Sequence, residues 1–221
     1  MKKSPTPIIF VPGLGTRGEI TYKPLLAHLR QRYEVRVADH SLDLPKKLDW
    51  QFFYRAIDKA IARNKKVYLL GHSMGGAVVL GYAANHPQKL VKTIAVAPVL
   101  FPFARDHDPF RRVRSVWLSL RGLGLSHLIE AAKVRKRVLD EGRRRPLYNW
   151  TGWIDLTPML SKVRQATVLW PAKEEIIPYR HFRRVRRDFP NVKTKHIAGS
   201  HNNMALYPSP ILHALEDELY E

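Results

Sequence analysis

The 221-residue sequence contains no cysteine. That absence excludes disulfides, a thiolate zinc site and a cysteine nucleophile, and with them a secreted, disulfide-stapled scaffold. Long hydrophobic runs are missing as well. After the charged start at Met1 to Lys3, the first apolar run spans only Ile8 to Val11, too short for a signal-peptide core or a membrane span. The expectation is a soluble, cytoplasmic chain without a transmembrane segment. Acidic residues are scarce, 19 Asp and Glu against 38 Lys and Arg, giving a formal net charge of +19. Such a surplus attracts anions and does not bear on fold. Nucleic acid, anionic lipid and anionic substrates are all compatible with it, and so is a general basic surface with no partner. There is no internal repeat and no cluster of metal-ligating residues. Gly13-Leu14-Gly15 lacks the third glycine of a dinucleotide-binding turn at the required spacing. Neither a metal nor a cofactor is expected.

What is present is a globular chain, 45% hydrophobic, of a length that favours one domain with a well-buried core. Pro7 to Pro12 is a short β-branched run that ends in a Gly-rich turn. Tyr33 to Asp39, Lys66 to Leu70, Val91 to Ala97, Thr167 to Trp170 and Val192 to Ile197 also read as strands. Between them, apolar residues recur at helical spacing over Ile20 to Arg32, Leu48 to Arg63, Ala77 to Asn85, Tyr179 to Asp188 and Ser209 to Glu218. Strands alternating with helices predict an α/β fold, a six-stranded parallel sheet with helices on both faces. The alternation breaks once, after the fourth strand. Residues 100–164 lack strand character and carry two expected helices, roughly Arg112 to Leu120 and Ser126 to Leu139.

Gly71-His72-Ser73-Met74-Gly75 fits the G-x-S-x-G pattern of a nucleophile elbow. Three positions at about 7% each arise by chance in roughly one chain of this length in fourteen, so the pattern alone is weak. Its context is what matters: an apolar strand precedes it and a helix with small residues follows. A sharp turn there lifts the serine oxygen clear of the sheet, and the helix N-terminus favours developing negative charge.

A serine hydroxyl needs a base, and the base needs an orienting acid. In a parallel sheet these groups sit in loops after the C-terminal strand ends. Ala198-Gly199-Ser200-His201 follows the last strand and makes His201 the base. His196 lies within that strand, and His213 on the final helix. After the fifth strand come Glu174 and Glu175, of which Glu174 is favoured as the acid. Glu175, read as a solvated or helix-capping charge, and Asp155 are the lesser candidates.

With these residues in view, the chain resembles α/β-hydrolase-fold proteins of the small esterase and lipase kind, close to the monoacylglycerol-lipase-like members, over essentially its whole length. Val11-Pro12-Gly13-Leu14-Gly15 is similar to the family's H-G-x-G oxyanion loop, with Pro12 in place of the histidine. Gly71 to Gly76 is a common form of the elbow. Leu169 to Pro178 is similar to L-W-G-x-x-D-x-I-V-P, which puts Glu174 on the acid position where most relatives have Asp. The resemblance implies a Ser73–Glu174–His201 triad with Leu14 and Met74 as oxyanion donors. It also implies a single domain over 1–221 with a helical cap at 100–164. Relatives often carry two further N-terminal strands, so the resemblance leads to the expectation of a minimal version.

Within 101–164, 14 Lys and Arg stand against 6 Asp and Glu. The apolar residues there, with Trp117, Trp150, Trp153 and Met159, are expected either to pack on the core or to line an acyl pocket. The function implied is a serine carboxylic-ester hydrolase (an EC 3.1.1-type carboxylesterase) for short- to medium-chain esters. Lactones such as acyl-homoserine lactones are internal esters open to the same attack. The alternative is a non-catalytic member of the fold that binds polyanions or membranes. Weak, non-specific polyanion binding is compatible with both, and no signature of specific nucleic-acid recognition is present. Dehalogenase and epoxide-hydrolase chemistry is disfavoured, because those branches place Asp where this chain has Ser73.

Overall fold

A computed structural model describes residues 4, 6–13, 16–39, 49–63, 66–102, 154–206 and 208–220. Six strands, β1 (Ile8–Val11), β2 (Val35–Val37), β3 (Val67–His72), β4 (Leu90–Val96), β5 (Ala166–Lys173) and β6 (Val192–Ser200), form one sheet in the order β2-β1-β3-β4-β5-β6. Every pairing is parallel. All six sequence-predicted strands are there.

Side chains alternate across the sheet, so every strand except the edge strand β2 feeds two cores. Ile9, Val11, Leu69, Ala95, Val168 and Trp170 point to one face. That face is covered by α3 (Trp50–Ile61), α4 (Met74–Asn85), the short α5 (Thr157–Leu160) and α6 (Arg180–Asp188). Ile8, Phe10, Leu70, Ile94, Val96, Leu169 and Ile197 point to the other. There they meet α2 (Lys23–Leu29), which follows the single turn α1 (Gly18–Thr21), together with α7 (Asn203–Leu206) and α8 (Ser209–Tyr220). Burial on both faces explains why the inner strands are largely apolar, whereas the edge strands β2 and β6 keep charged residues such as Arg36, Lys193 and Lys195.

The expected helix over Ile20 to Arg32 is two pieces. Tyr22 leaves helical geometry (φ −108°, ψ 21°), and Pro24 opens the second helix in its first turn, where a missing N–H costs nothing. The segment 100–164 contributes its ends to the core: Leu100, Phe101, Ile154, Leu156, Leu160 and Val163 are buried in the first cluster. The two helices expected between them lie outside the described residues.

At the N-terminal end of the sheet, buried Glu218 of α8 accepts a hydrogen bond from Thr167 Oγ1 (2.6 Å) and faces Lys92 (2.9 Å), Lys193 (3.2 Å) and Lys195 (2.5 Å). Burial opposes its ionisation, but Lys195, Thr167 and the other two lysines outweigh it and hold the carboxyl at about 2. A folded-state value below the ordinary carboxyl range adds stability above the unfolded value, and that stability is lost as pH falls through the folded one. Chemical denaturation should therefore show stability falling between about pH 5 and pH 2. Glu218→Gln should lose roughly 3 kcal/mol at neutral pH, the scale of breaking a buried ion pair, and should flatten that acid dependence.

Candidate active site

β1 lies between β2 and β3, so the chain order reverses at β1/β3 and opens a crevice at their C-terminal ends. Val11 pairs with Gly71 at that point. The turn at Pro12-Gly13 and the turn at Ser73 are thereby neighbours.

β3 runs into Ser73 and α4 begins at Met74, three residues earlier than the sequence pattern predicts. Ser73 sits at φ 55°, ψ −117°, a left-handed backbone rarely adopted by a residue with a side chain. The neighbouring strand holds it there. Ser73 N–H donates to Val96 O (2.9 Å), while Ser73 O accepts from Ala77 N and Val99 N (both 3.2 Å). The glycines around it are required by space. A Cβ on Gly75 would strike the carbonyl oxygens of Val11 and Pro12, and one on Gly71 would strike the backbone of Gly75. Met74, at the head of α4, carries a backbone N–H from the first turn, where helices have no internal acceptor to offer. Leu14 lies outside the described residues.

His201 directly follows β6, whose next-to-last residue, Gly199, has a positive φ of 101°. Its Nδ1 lies 2.9 Å from both Oε1 and Oε2 of Glu174, with side chains only 5% and 2% exposed. Glu174 Oε1 also accepts the backbone N–H groups of Ile176 (2.8 Å) and Ile177 (2.9 Å). A carboxylate used as an acceptor by two backbone donors requires Nδ1 to be the protonated nitrogen, which leaves Nε2 as the basic one. Burial pushes the imidazole pKa down, but the charge and hydrogen bond of Glu174, helped by Glu175, win, and the net shift is upward.

Glu175 is more involved than a solvated or capping charge. Its Oε2 accepts His201 N–H (3.1 Å), and its Oε1 is buried without a hydrogen-bond partner. Burial raises its pKa, the bond from His201 N–H opposes the rise, and the neighbouring Glu174 adds to it. Asp155 is instead a local cap: its Oδ1 accepts from Thr157 N (2.9 Å) and Thr157 Oγ1 (2.6 Å). His196 is exposed on β6 with Tyr179 stacked beside it, and His213 is exposed on α8. Met159 is half-buried against the first core cluster, whereas Trp117, Trp150 and Trp153 lie outside the described residues.

Two side chains that the sequence pattern did not single out complete the surroundings. His72, buried beside Ser73, has Nε2 2.9 Å from His201 O and Nδ1 2.7 Å from Tyr22 Oη. Tyr22 Oη in turn accepts Gly13 N–H (3.2 Å). Burial, then the nearby His201, drive the His72 pKa well below the ordinary histidine value, against the bond to the His201 backbone. Burial lifts Tyr22 to about 12, against the bond from Gly13 N–H. Both groups stay in their uncharged forms at neutral pH.

Among the described residues, no three His, Asp or Glu side chains are placed to share a metal ion. Among them, too, no helix is long and apolar enough to cross a membrane.

No curated protein matches this sequence. Solved structures do, at low identity. A putative lipase from Acinetobacter baumannii AYE superposes with a TM-score of 0.74 at 12% identity, covering 99% of this chain and 85% of that one. A thermophilic esterase from Thermogutta terrifontis gives 0.67 at 17%, covering 99% and 91%. A 2-hydroxy-6-oxo-6-phenylhexa-2,4-dienoate hydrolase from Rhodococcus sp. strain RHA1 gives 0.71 at 13%, covering 98% and 91%. At such identities the likeness speaks for the fold. Residues 8–214 match the alpha/beta hydrolase family, and with the parallel sheet and the strained Ser73 turn already in place, the chain belongs to that family.

Proposed function

We propose that the protein is a serine carboxylic-ester hydrolase working through Ser73, His201 and Glu174. The observation that carries this reading is the buried Glu174–His201 hydrogen bond, with His201 tied through its carbonyl to the residue next to the strained Ser73. His201 Nε2 takes the Ser73 proton as Oγ attacks the ester carbonyl. The tetrahedral oxyanion is met by the N–H groups of Met74 and Leu14, with the N-terminus of α4 favouring its charge. The imidazolium then returns its proton to the leaving alcohol. Water repeats the sequence on the acyl-Ser73 ester and releases the acid.

Open-chain esters of short to medium acids are the proposed substrates, and lactones, acyl-homoserine lactones included, are the natural variant. The esterase and lipase among the structural neighbours support this class. A second reading, polyanion binding without catalysis, draws on α6, where Arg180, Arg183, Arg186 and Arg187 are exposed.

A fluorophosphonate probe separates the two. Ser73 should be labelled stoichiometrically, and Ser73→Ala should lose both the label and turnover of p-nitrophenyl esters. A panel from C2 to C16, alongside γ-lactones and acyl-homoserine lactones, then ranks the substrates. Undiminished turnover by Ser73→Ala would overturn the catalytic reading.

A further inference from the structure

His72 and Tyr22 are buried polar side chains for which the mechanism above has no chemical step. Each hydrogen-bond direction between them is set by the groups at the ends of the chain. His201 O can only accept, so His72 Nε2 must carry a proton. An uncharged His72 has one ring proton, so Nδ1 is a bare acceptor and Tyr22 Oη–H donates to it across 2.7 Å. The Tyr22 oxygen keeps a lone pair for Gly13 N–H. The result is a directed chain, Gly13 N–H to Tyr22 to His72 to His201 O, spanning sequence separations of 9, 50 and 129 residues.

Packing keeps this chain in register. Tyr22 and His72 are 1% and 3% exposed, so water offers no substitute partners. The Tyr22 ring is wedged edge-on between Phe10 (4.8 Å between centroids) and His72 (5.6 Å). A Cβ on Gly13 would lie 3.1 Å from Tyr22 Oη, 3.3 Å from His72 Nδ1 and 3.5 Å from Ser73 Cβ, so Gly13 packs against all three and has no room for a side chain. Thr16 Oγ1 donates to Gly13 O (2.7 Å) and fixes the other end of the same residue.

We propose that Tyr22 and His72 form a buried strut that sets the distance between the Gly13 turn and the His201 loop, making both of them positioning residues for Ser73 chemistry. This deepens the serine-hydrolase reading and rests on it. The strut has a counterpart: Glu175 holds His201 N–H while His72 holds His201 C=O, so the backbone of the base is gripped at both polar groups and its ring by Glu174. An imidazole fixed in this way has little freedom to drift from Ser73 Oγ. A misplacement of about 1 Å at such a site costs on the order of 100-fold in rate.

The test uses Tyr22→Phe, His72→Gln and His72→Leu in the full chain. Tyr22→Phe keeps the ring and removes only the hydroxyl. It should lower kcat for a p-nitrophenyl ester about 10- to 100-fold with KM within about twofold, because substrate binding is not what the strut serves. His72→Gln keeps a donor within reach of His201 O and should retain at least about fivefold more activity than His72→Leu, although leucine suits a buried site better. Tyr22→Phe combined with His72→Leu should be no worse than the more damaging single change, since both break one chain. Equal activity of the Gln and Leu variants, multiplied losses in the double variant, or wild-type kcat in Tyr22→Phe would each overturn the strut. Imidazole nitrogen NMR gives a readout independent of turnover. His72 should be a single Nε2–H tautomer in the wild type, and in Tyr22→Phe it should keep that tautomer while its Nδ1 resonance moves downfield to that of a bare nitrogen with no donor; an unmoved Nδ1 would overturn the strut. If the wild type takes no probe and turns over no ester, the hydrolase reading fails, and this spectrum alone decides the strut; a mixture already present in the wild type refutes it.

Discussion

Replacing His201 with alanine is expected to lower kcat for ester hydrolysis by at least about 10³-fold, the scale of a disabled base in a serine hydrolase. The hydroxyl of Ser73 is barely acidic, so attack on an ester requires a group that removes its proton as the C–O bond forms. His201 suits that role physically: its Nδ1 is committed to Glu174, its ring is 5% exposed, and its basicity is raised above that of a free imidazole. Alanine leaves the space of a ring behind, and water there is neither oriented nor basic enough to replace it. The loss should sit in kcat, because an ester binds through its acyl and alcohol parts. Ser73→Ala should be equally damaging, and the double variant hardly worse than either, since the two act as one unit. Single-turnover kinetics would read this directly. A loss below about tenfold in His201→Ala would mean that another group takes the proton.

The placement of Ser73, Glu174 and His201 at one edge of the sheet was legible because each directly follows a strand that the hydrophobic pattern already marks. Strand ends at one sheet edge converge whatever the loops do. Helix starts were harder to read. Met74-Gly75-Gly76 looks like a turn in sequence, yet it is the first turn of α4; Gly75 is there because the helix lies against the backbone of Val11 and Pro12, far earlier in the chain, and Gly76 because it lies against Pro98. The break at Tyr22 was visible in principle through Pro24, whereas the hydrogen bonds of Tyr22 were not. Contacts between residues 50 or 129 positions apart have no periodicity, so no pattern in the chain points from Tyr22 to His72 or from His72 to His201. Glu175 was underrated for the same reason: spacing shows which carboxylate is near the end of β5, not that its neighbour reaches back to the His201 backbone.

The paired carboxylates should separate sharply. Glu174→Gln is expected to reduce kcat about 10³- to 10⁴-fold at neutral pH, and Glu175→Gln about tenfold or less. At position 174 a glutamine would give its carbonyl oxygen to Ile176 and Ile177 N–H and turn its NH₂ towards His201. That NH₂ can only donate, so Nδ1 would have to accept and the proton would move to Nε2, the nitrogen required as the base. The protein would hold the wrong tautomer in a well-folded site. At position 175 a glutamine oxygen can still accept His201 N–H, so the loop stays pinned and only a flanking charge is lost. The pH profile adds a second readout. Burial depresses the His201 pKa, but Glu174 and Glu175 raise it further, and His201 must be uncharged to act as a base. The acid limb of kcat/KM should therefore lie above about 6.5, the value of an unperturbed histidine. Removing the charge of Glu174 takes away its largest upward contribution and should move that limb to lower pH, while the ceiling of the profile drops. Glu175→Gln should move it in the same direction by less. If instead Glu175→Gln carries the large loss and the large shift, Glu175 is the residue that orients the base, and the bond from Glu174 to Nδ1 is a resting-state contact.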